Sequence, residues 1–272
     1  MNREDVKRIA NDPQCIDGIY NYCDRWCKRC RFRSRCSQYI LSEERLLSDA
    51  GVNETDDAFW NNVNEMFDIT MEMIREIAEE KGINLESVDS EMYSEHHKSL
   101  DLRYAAHPCT SAGSAYISMV EEWFEEAEPL FNSKEYELSM KVEIDDLSDE
   151  DASGEADEID NAVEVIQWYQ TQIYVKLMRA VRGTAEPDPA SAGHVQYDAD
   201  GSAKVALMGI DRSIASWGML YNHFSEMENE IIDILVHLDR LRKRVEHAFP
   251  HARAFIRPGF DEDVYNETEC IG

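Results

Sequence analysis

Glycine and proline are scarce, 12 and 7 in 272 residues. So few turn-formers do not suit a sheet of many short strands, which needs turn signals roughly every 8–12 residues. Long apolar runs are missing too. None approaches membrane-spanning length, and the opening MNREDVKRIANDPQ has no apolar leader segment. No membrane partner is expected, and the chain reads as cytoplasmic. The ending ECIG puts Cys270 one place too late for a prenylation box. Positive charge is also short: 27 Lys and Arg stand against 56 Asp and Glu, for a formal net charge of −29. A surface this acidic repels phosphate backbones, so the main body is not expected to bind nucleic acid. Lysine, at 9 against 18 arginines, is rarer still. Many carboxylates with few lysines fit halophilic adaptation, in which the acidity serves solubility rather than a site. No Gly-rich phosphate loop, nucleophile elbow or Ser/His/Asp set of known spacing occurs.

Against that acidity, one stretch gathers both thiols and positive charge. CDRWCKRCRFRSRC, residues 23–36, carries Cys23, Cys27, Cys30 and Cys36 with Arg25, Lys28, Arg29, Arg31, Arg33 and Arg35. Cys15 lies eight residues upstream of Cys23. In a reducing compartment such thiols read as ligands before disulfides. Spacers this short let the sulfurs converge on one centre, which predicts a metal-binding knuckle drawing its ligands from these five cysteines. Four thiolates on Zn²⁺ or on a 4Fe–4S cluster leave a double negative charge, and the six basic residues are placed to offset it and to lower the thiol pKa values. Trp26, Phe32, Tyr20 and Tyr22 would shield the centre from water. The spacing of Cys27, Cys30 and Cys36 resembles that of auxiliary iron–sulfur domains appended to radical-SAM enzymes. The rest of the chain does not look like a radical-SAM barrel, so no activity follows. Zinc and an iron–sulfur cluster both remain open. The basic surface offers a site for a protein partner.

The remainder reads as all-α: four long helices in a bundle, spanning residues 55–249, preceded by the cysteine segment at 1–42 and followed by a tail at 250–272. Phe59, Val63, Met66, Thr70, Met73 and Ile77 recur at helical spacing, as do Tyr116, Val120, Trp123, Ala127 and Leu130 after a cap at Ser111 or Ser114. A third helix over 158–182 carries Val163, Ile166, Gln170, Ile173, Leu177 and Ala180. The last, over 208–248, runs from Ile214 through Trp217, Tyr221, Phe224, Glu228, Ile231, Leu235, Leu238, Arg242 and Val245 to Phe249. A shorter amphipathic piece spans 86–106. Residues 143–158, within a run of ten acids and no base, predict a disordered linker, and 183–205 predict a loop.

A second constellation lies on the predicted last helix. His223, Glu226, Glu230, Asp233 and His237 share one face at steps of three and four. Carboxylates and imidazoles on facing helices hold dimetal centres in bundles, which makes a dimetal bundle enzyme an alternative. The order is not the usual Glu-x-x-His, however, and a solvated charged face accounts for it better. Glu95, His96 and His97 could contribute, and Cys109 is a buried thiol or a further ligand. Three functions stay open: a redox or electron-transfer protein, a zinc-stapled scaffold without catalysis, and the dimetal enzyme.

Overall fold

The computed structural model describes residues 3–49, 56–85, 90–143, 148–185 and 194–261. These residues contain eight α-helices and no strand. The helices are α1 (Arg3–Ala10), α2 (Ser37–Asp49), α3 (Asp56–Glu80), α4 (Ser90–Ala105), α5 (Pro108–Glu143), α6 (Asp149–Ala185), α7 (His194–His223) and α8 (Glu228–Ala248). None is long and apolar enough to cross a membrane. The chain divides into two compact units, one comprising Met1–Asp101 with Arg257–Gly272 and the other Leu102–Ile256.

In the larger unit, α5 packs on α6 and α8, and α7 packs on α6 and α8. The helical periodicity accounts for the core. Tyr116, Val120, Trp123 and Ala127 of α5 are buried, as are Ile166, Ile173, Leu177 and Ala180 of α6. The start of α5 is corrected to Pro108. Proline suits the first helical position because its missing N–H would find no helical partner there. The imidazole of His107 accepts the Cys109 N–H at 3.2 Å, capping the helix in place of Ser111 or Ser114.

The acidic stretch is also corrected, because α6 begins at Asp149 and residues 149–158 are helical. Ser148 Oγ accepts the Asp151 N–H at 3.1 Å and donates to the Asp151 carboxylate at 2.6 Å. Asp149, Glu150 and Asp151 thus fall where the positive end of the helix dipole favours acids. Residues 144–147 of the expected linker lie outside the described residues.

The expected loop is corrected at both ends. Residues 183–185 belong to α6 and 194–205 to α7, while 186–193 lie outside the described residues. The small residues that read as loop instead let two helices approach closely. A Cβ built on Gly183 would stand 3.3 Å from Ala199 Cβ; farther along, within the helix expected from residue 208, one on Gly209 would stand 2.8 Å from the Tyr169 ring.

The long last helix is in fact two. Phe224 leaves helical geometry at φ −125°, ψ 69°, and a 3₁₀ turn over Ser225–Met227 leads into α8. The Phe224 ring lies 4.7 Å from Phe131 and 6.0 Å from Trp123. The break swings that ring inward, and Met227 then takes the buried place assigned to Glu228. Farther along, Ile234 and Leu241 are buried rather than Leu235 and Arg242. Glu228 is exposed, and the Arg242 guanidinium bonds the Asp239 carboxylate at 2.5 Å, so both mark where the helix leaves the core.

In the smaller unit, α1 contacts α2, and Ile9 and Ile19 are buried. Lys7 of α1 and Glu76 of α3 approach to 3.7 Å. The stripe read on α3 does not all turn inward. Thr70 is exposed and Ile77 is 50% exposed, whereas Ala78 is buried. The side chains of Phe59, Val63 and Met66 lie outside the described residues.

Candidate metal centre

The cysteine segment is built from successive tight turns. Asp24 Oδ1 accepts the Trp26 N–H at 3.2 Å, an Asx turn. Arg25 takes the left-handed conformation, φ 60°, which a residue with a long side chain rarely adopts. Trp26, at φ −82° and ψ 69°, forms an inverse γ-turn closed by the Cys27 N–H on the Arg25 carbonyl at 2.9 Å. Single 3₁₀ turns follow over Cys27–Arg29 and Arg33–Arg35, closed by the N–H groups of Cys30 and Cys36.

This winding brings Cys23, Cys27, Cys30 and Cys36 to one small cavity, walled by Ile19, Tyr20, Trp26, Tyr39 and Phe260. Cys15 is not part of that lining. The Phe32 N–H points to Cys30 Sγ at 3.4 Å. Trp26 is 5% exposed, and the Arg29 guanidinium lies over its ring at 4.2 Å. Arg31 covers Phe32 at 4.6 Å. All six basic residues of the stretch are exposed except for what these rings shield.

The chain's later residues complete the wall, Phe260 lying against this segment. Gly259, at φ +72°, lies against Ile16 and Ile19, and a Cβ there would come within 2.8 Å of Ile16 Cδ1. Phe260 meets Phe32 edge-to-face at 5.1 Å. Arg257 donates to the Asp261 carboxylate at 2.8 and 3.1 Å and holds the turn. Phe260 and Gly259 went unassigned in the sequence reading. The only signal for them was the Pro-Gly turn in FIRPGFDED.

The electrostatics correct one expectation. Cys27 is pushed up, not down: burial contributes most, then the neighbouring Cys23, Cys36 and Cys30, against a pull from Arg25. The physical reason is position. The basic side chains face water, which screens them, whereas the sulfurs share a confined space. Crowded thiols that resist ionisation are relieved by a cation among them. Among the described residues, no three His, Cys, Asp or Glu side chains are grouped closely enough to hold one metal ion. A single zinc needs sulfurs about 2.3 Å from its centre. Four thiols are a donor set that zinc and an iron–sulfur cluster both accept.

The second constellation is dispersed. His223 ends α7 and pairs with Glu155 of α6 at 3.2 Å. Glu226 lies on the 3₁₀ turn and is exposed. His237 Nε2 donates to the Ala112 carbonyl at 2.8 Å, tying α8 to α5. Glu230 and Asp233 do come together, in a groove with Glu122 and Glu126 of α5, which the sequence reading had not included. Cys109 is fully buried, and burial raises its thiol pKa, with Arg244 opposing. Glu95, His96 and His97 belong to α4, but their side chains lie outside the described residues, and so does Cys270.

No family model, no curated protein and no solved structure matches this chain. Its functional reading therefore stands on the residues themselves.

Proposed function

We propose that the protein is a cysteine-ligated iron–sulfur protein with a redox or electron-transfer role, its ligands being Cys23, Cys27, Cys30 and Cys36. One observation carries the reading: four thiols from one short segment line a single cavity. The chain's own residues support it. Trp26, Tyr39 and Phe260 wall the cavity, the Phe32 N–H reaches Cys30 Sγ, and the surrounding guanidinium groups would offset an anionic centre. A bound cluster would supply one-electron transfer. Helices α5 to α8 form, in this reading, a four-helix bundle. The exposed arginines form the face offered to a protein partner.

The test is anaerobic purification followed by iron, sulfide and zinc analysis and a visible spectrum. About four irons per chain are expected, with broad visible absorption that bleaches on reduction. Cys27→Ser should lower the iron content severalfold. About one tightly held zinc per colourless chain would overturn the redox reading in favour of a zinc-stapled scaffold. Absence of both metals would overturn the site altogether.

A further inference from the structure

The fifth cysteine has a place of its own. Cys15 does not line the cavity, yet it sits beside Cys36, which does. The Ile16 N–H bonds the Arg35 carbonyl at 2.9 Å, so the peptide unit that follows Cys15 pairs with the one that precedes Cys36. Arg35 Nε reinforces the junction on the Gln14 carbonyl at 3.3 Å. The Ile16–Arg35 bond sets the backbone of Cys15 beside the backbone of Cys36, each residue flanking one end of it. Cys15 remains partly exposed to solvent.

We propose that Cys15 and Cys36 form a two-electron modification site, in which a small-molecule disulfide oxidises the pair to a Cys15–Cys36 disulfide and thereby removes one ligand from the metal centre. This rests on the reading of Cys36 as a ligand. The Cys15 thiolate attacks the small disulfide, forming a mixed disulfide and expelling one thiolate. The Cys36 sulfur then attacks Cys15 Sγ, and the second thiolate departs; a metal that Cys36 would help to hold would lose that ligand. One protein S–S bond forms and one small-molecule S–S bond is lost. The two electrons and the Cys15 proton end on the two small thiols, the second thiolate taking its proton from water.

The experiment uses the full chain, loaded with metal and kept anaerobic, exposed to oxidised glutathione. Free thiols are alkylated, peptides are mapped without reduction, and released metal is followed with a coloured chelator. Wild-type protein should give the Cys15–Cys36 cross-linked peptide in step with metal release. Cys15→Ser should hold the same metal content when reduced, give no such peptide, and release metal at least tenfold more slowly. Three results would each overturn the proposal: cross-links that join other cysteines, equal release from both proteins, or a reduced Cys15→Ser that lacks metal. Should the reduced wild type hold no metal, the functional reading fails by itself. The same mapping on that metal-free chain then tests the pair independently.

Discussion

Arg25 is the residue where backbone and site meet. It is the single non-glycine residue at positive φ among the described residues, and it lies between two cavity cysteines. Left-handed backbone costs a bulky residue about 1 kcal/mol relative to glycine. Arg25→Gly is therefore expected to stabilise the reduced, metal-free chain by roughly 0.5–1 kcal/mol. Chemical denaturation measures this directly, and a loss of stability would mean that the side chain's contacts outweigh the strain. The convergence of the four cysteines was legible because short spacers leave the sulfurs few places to go. Which of the five cysteines stands apart was not legible, since Cys15 reaches Cys36 through a backbone pairing twenty residues away. Nor was the part of Phe260, which depends on a chain reversal that no local pattern encodes.

At the scale of elements, local composition misled wherever small residues do packing work. The stretch read as a loop from residue 183 contributes Gly183 and Ala199 to the close contact of α6 and α7, and farther along Gly209, inside the expected last helix, faces Tyr169 and Ile173. Tyr169 is itself fixed by burial and by a bond from Arg212. Gly209→Ala should destabilise by about 1 kcal/mol or more despite alanine's better helix propensity. Gly154→Ala in α6 is the control: nothing lies within 4 Å of its would-be Cβ, so propensity alone should add about 0.5–1 kcal/mol. Thermal melts that moved both variants the same way would contradict the packing account. The break at Phe224 was unreadable for the opposite reason. It has neither Gly nor Pro, and the steps of three and four continue through Phe224, Met227 and Ile231.

The same helices are joined by a network whose sign can be checked. Glu155 of α6 accepts Lys134 of α5 at 2.7 Å and pairs with His223 of α7. Its carboxyl is held below the ordinary value of 4.5, chiefly by the bond from Lys134, with burial opposing. A depressed carboxylate stabilises fully above its unfolded pKa, and that contribution is lost as pH falls through the lower folded value. Glu155→Gln should accordingly cost about 1 kcal/mol near neutral pH, with the difference shrinking below about pH 4. Denaturant midpoints for the two proteins across that range would show it, and a gap that widened in acid would refute it.

Over the whole molecule the governing quantity is charge. Glu121 and Glu125, and likewise Glu122 and Glu126, repeat at four-residue spacing on exposed positions of α5, so like charges face one another along the helix. Exposed ion pairs, such as Arg253 with Asp211 at 2.6 Å and with Glu246 at 2.8 Å, answer some of this, but 27 bases cannot answer 56 acids. Salt acts on both kinds of term: it weakens the pairs and relieves the repulsion. The excess of acids decides the balance. Raising KCl from about 0.1 M to about 1 M shortens the screening length from roughly 10 Å to 3 Å. That is shorter than most acid–acid spacings on an open helix face, while close pairs keep part of their attraction. The melting temperature should rise by several degrees over that range, about 5 °C. The effect should saturate as screening completes, and it should be as large in choline chloride as in KCl, because it stems from ionic strength rather than from bound potassium. A melting temperature that fell with salt would show that the paired minority, not the unpaired excess, sets the stability of this fold.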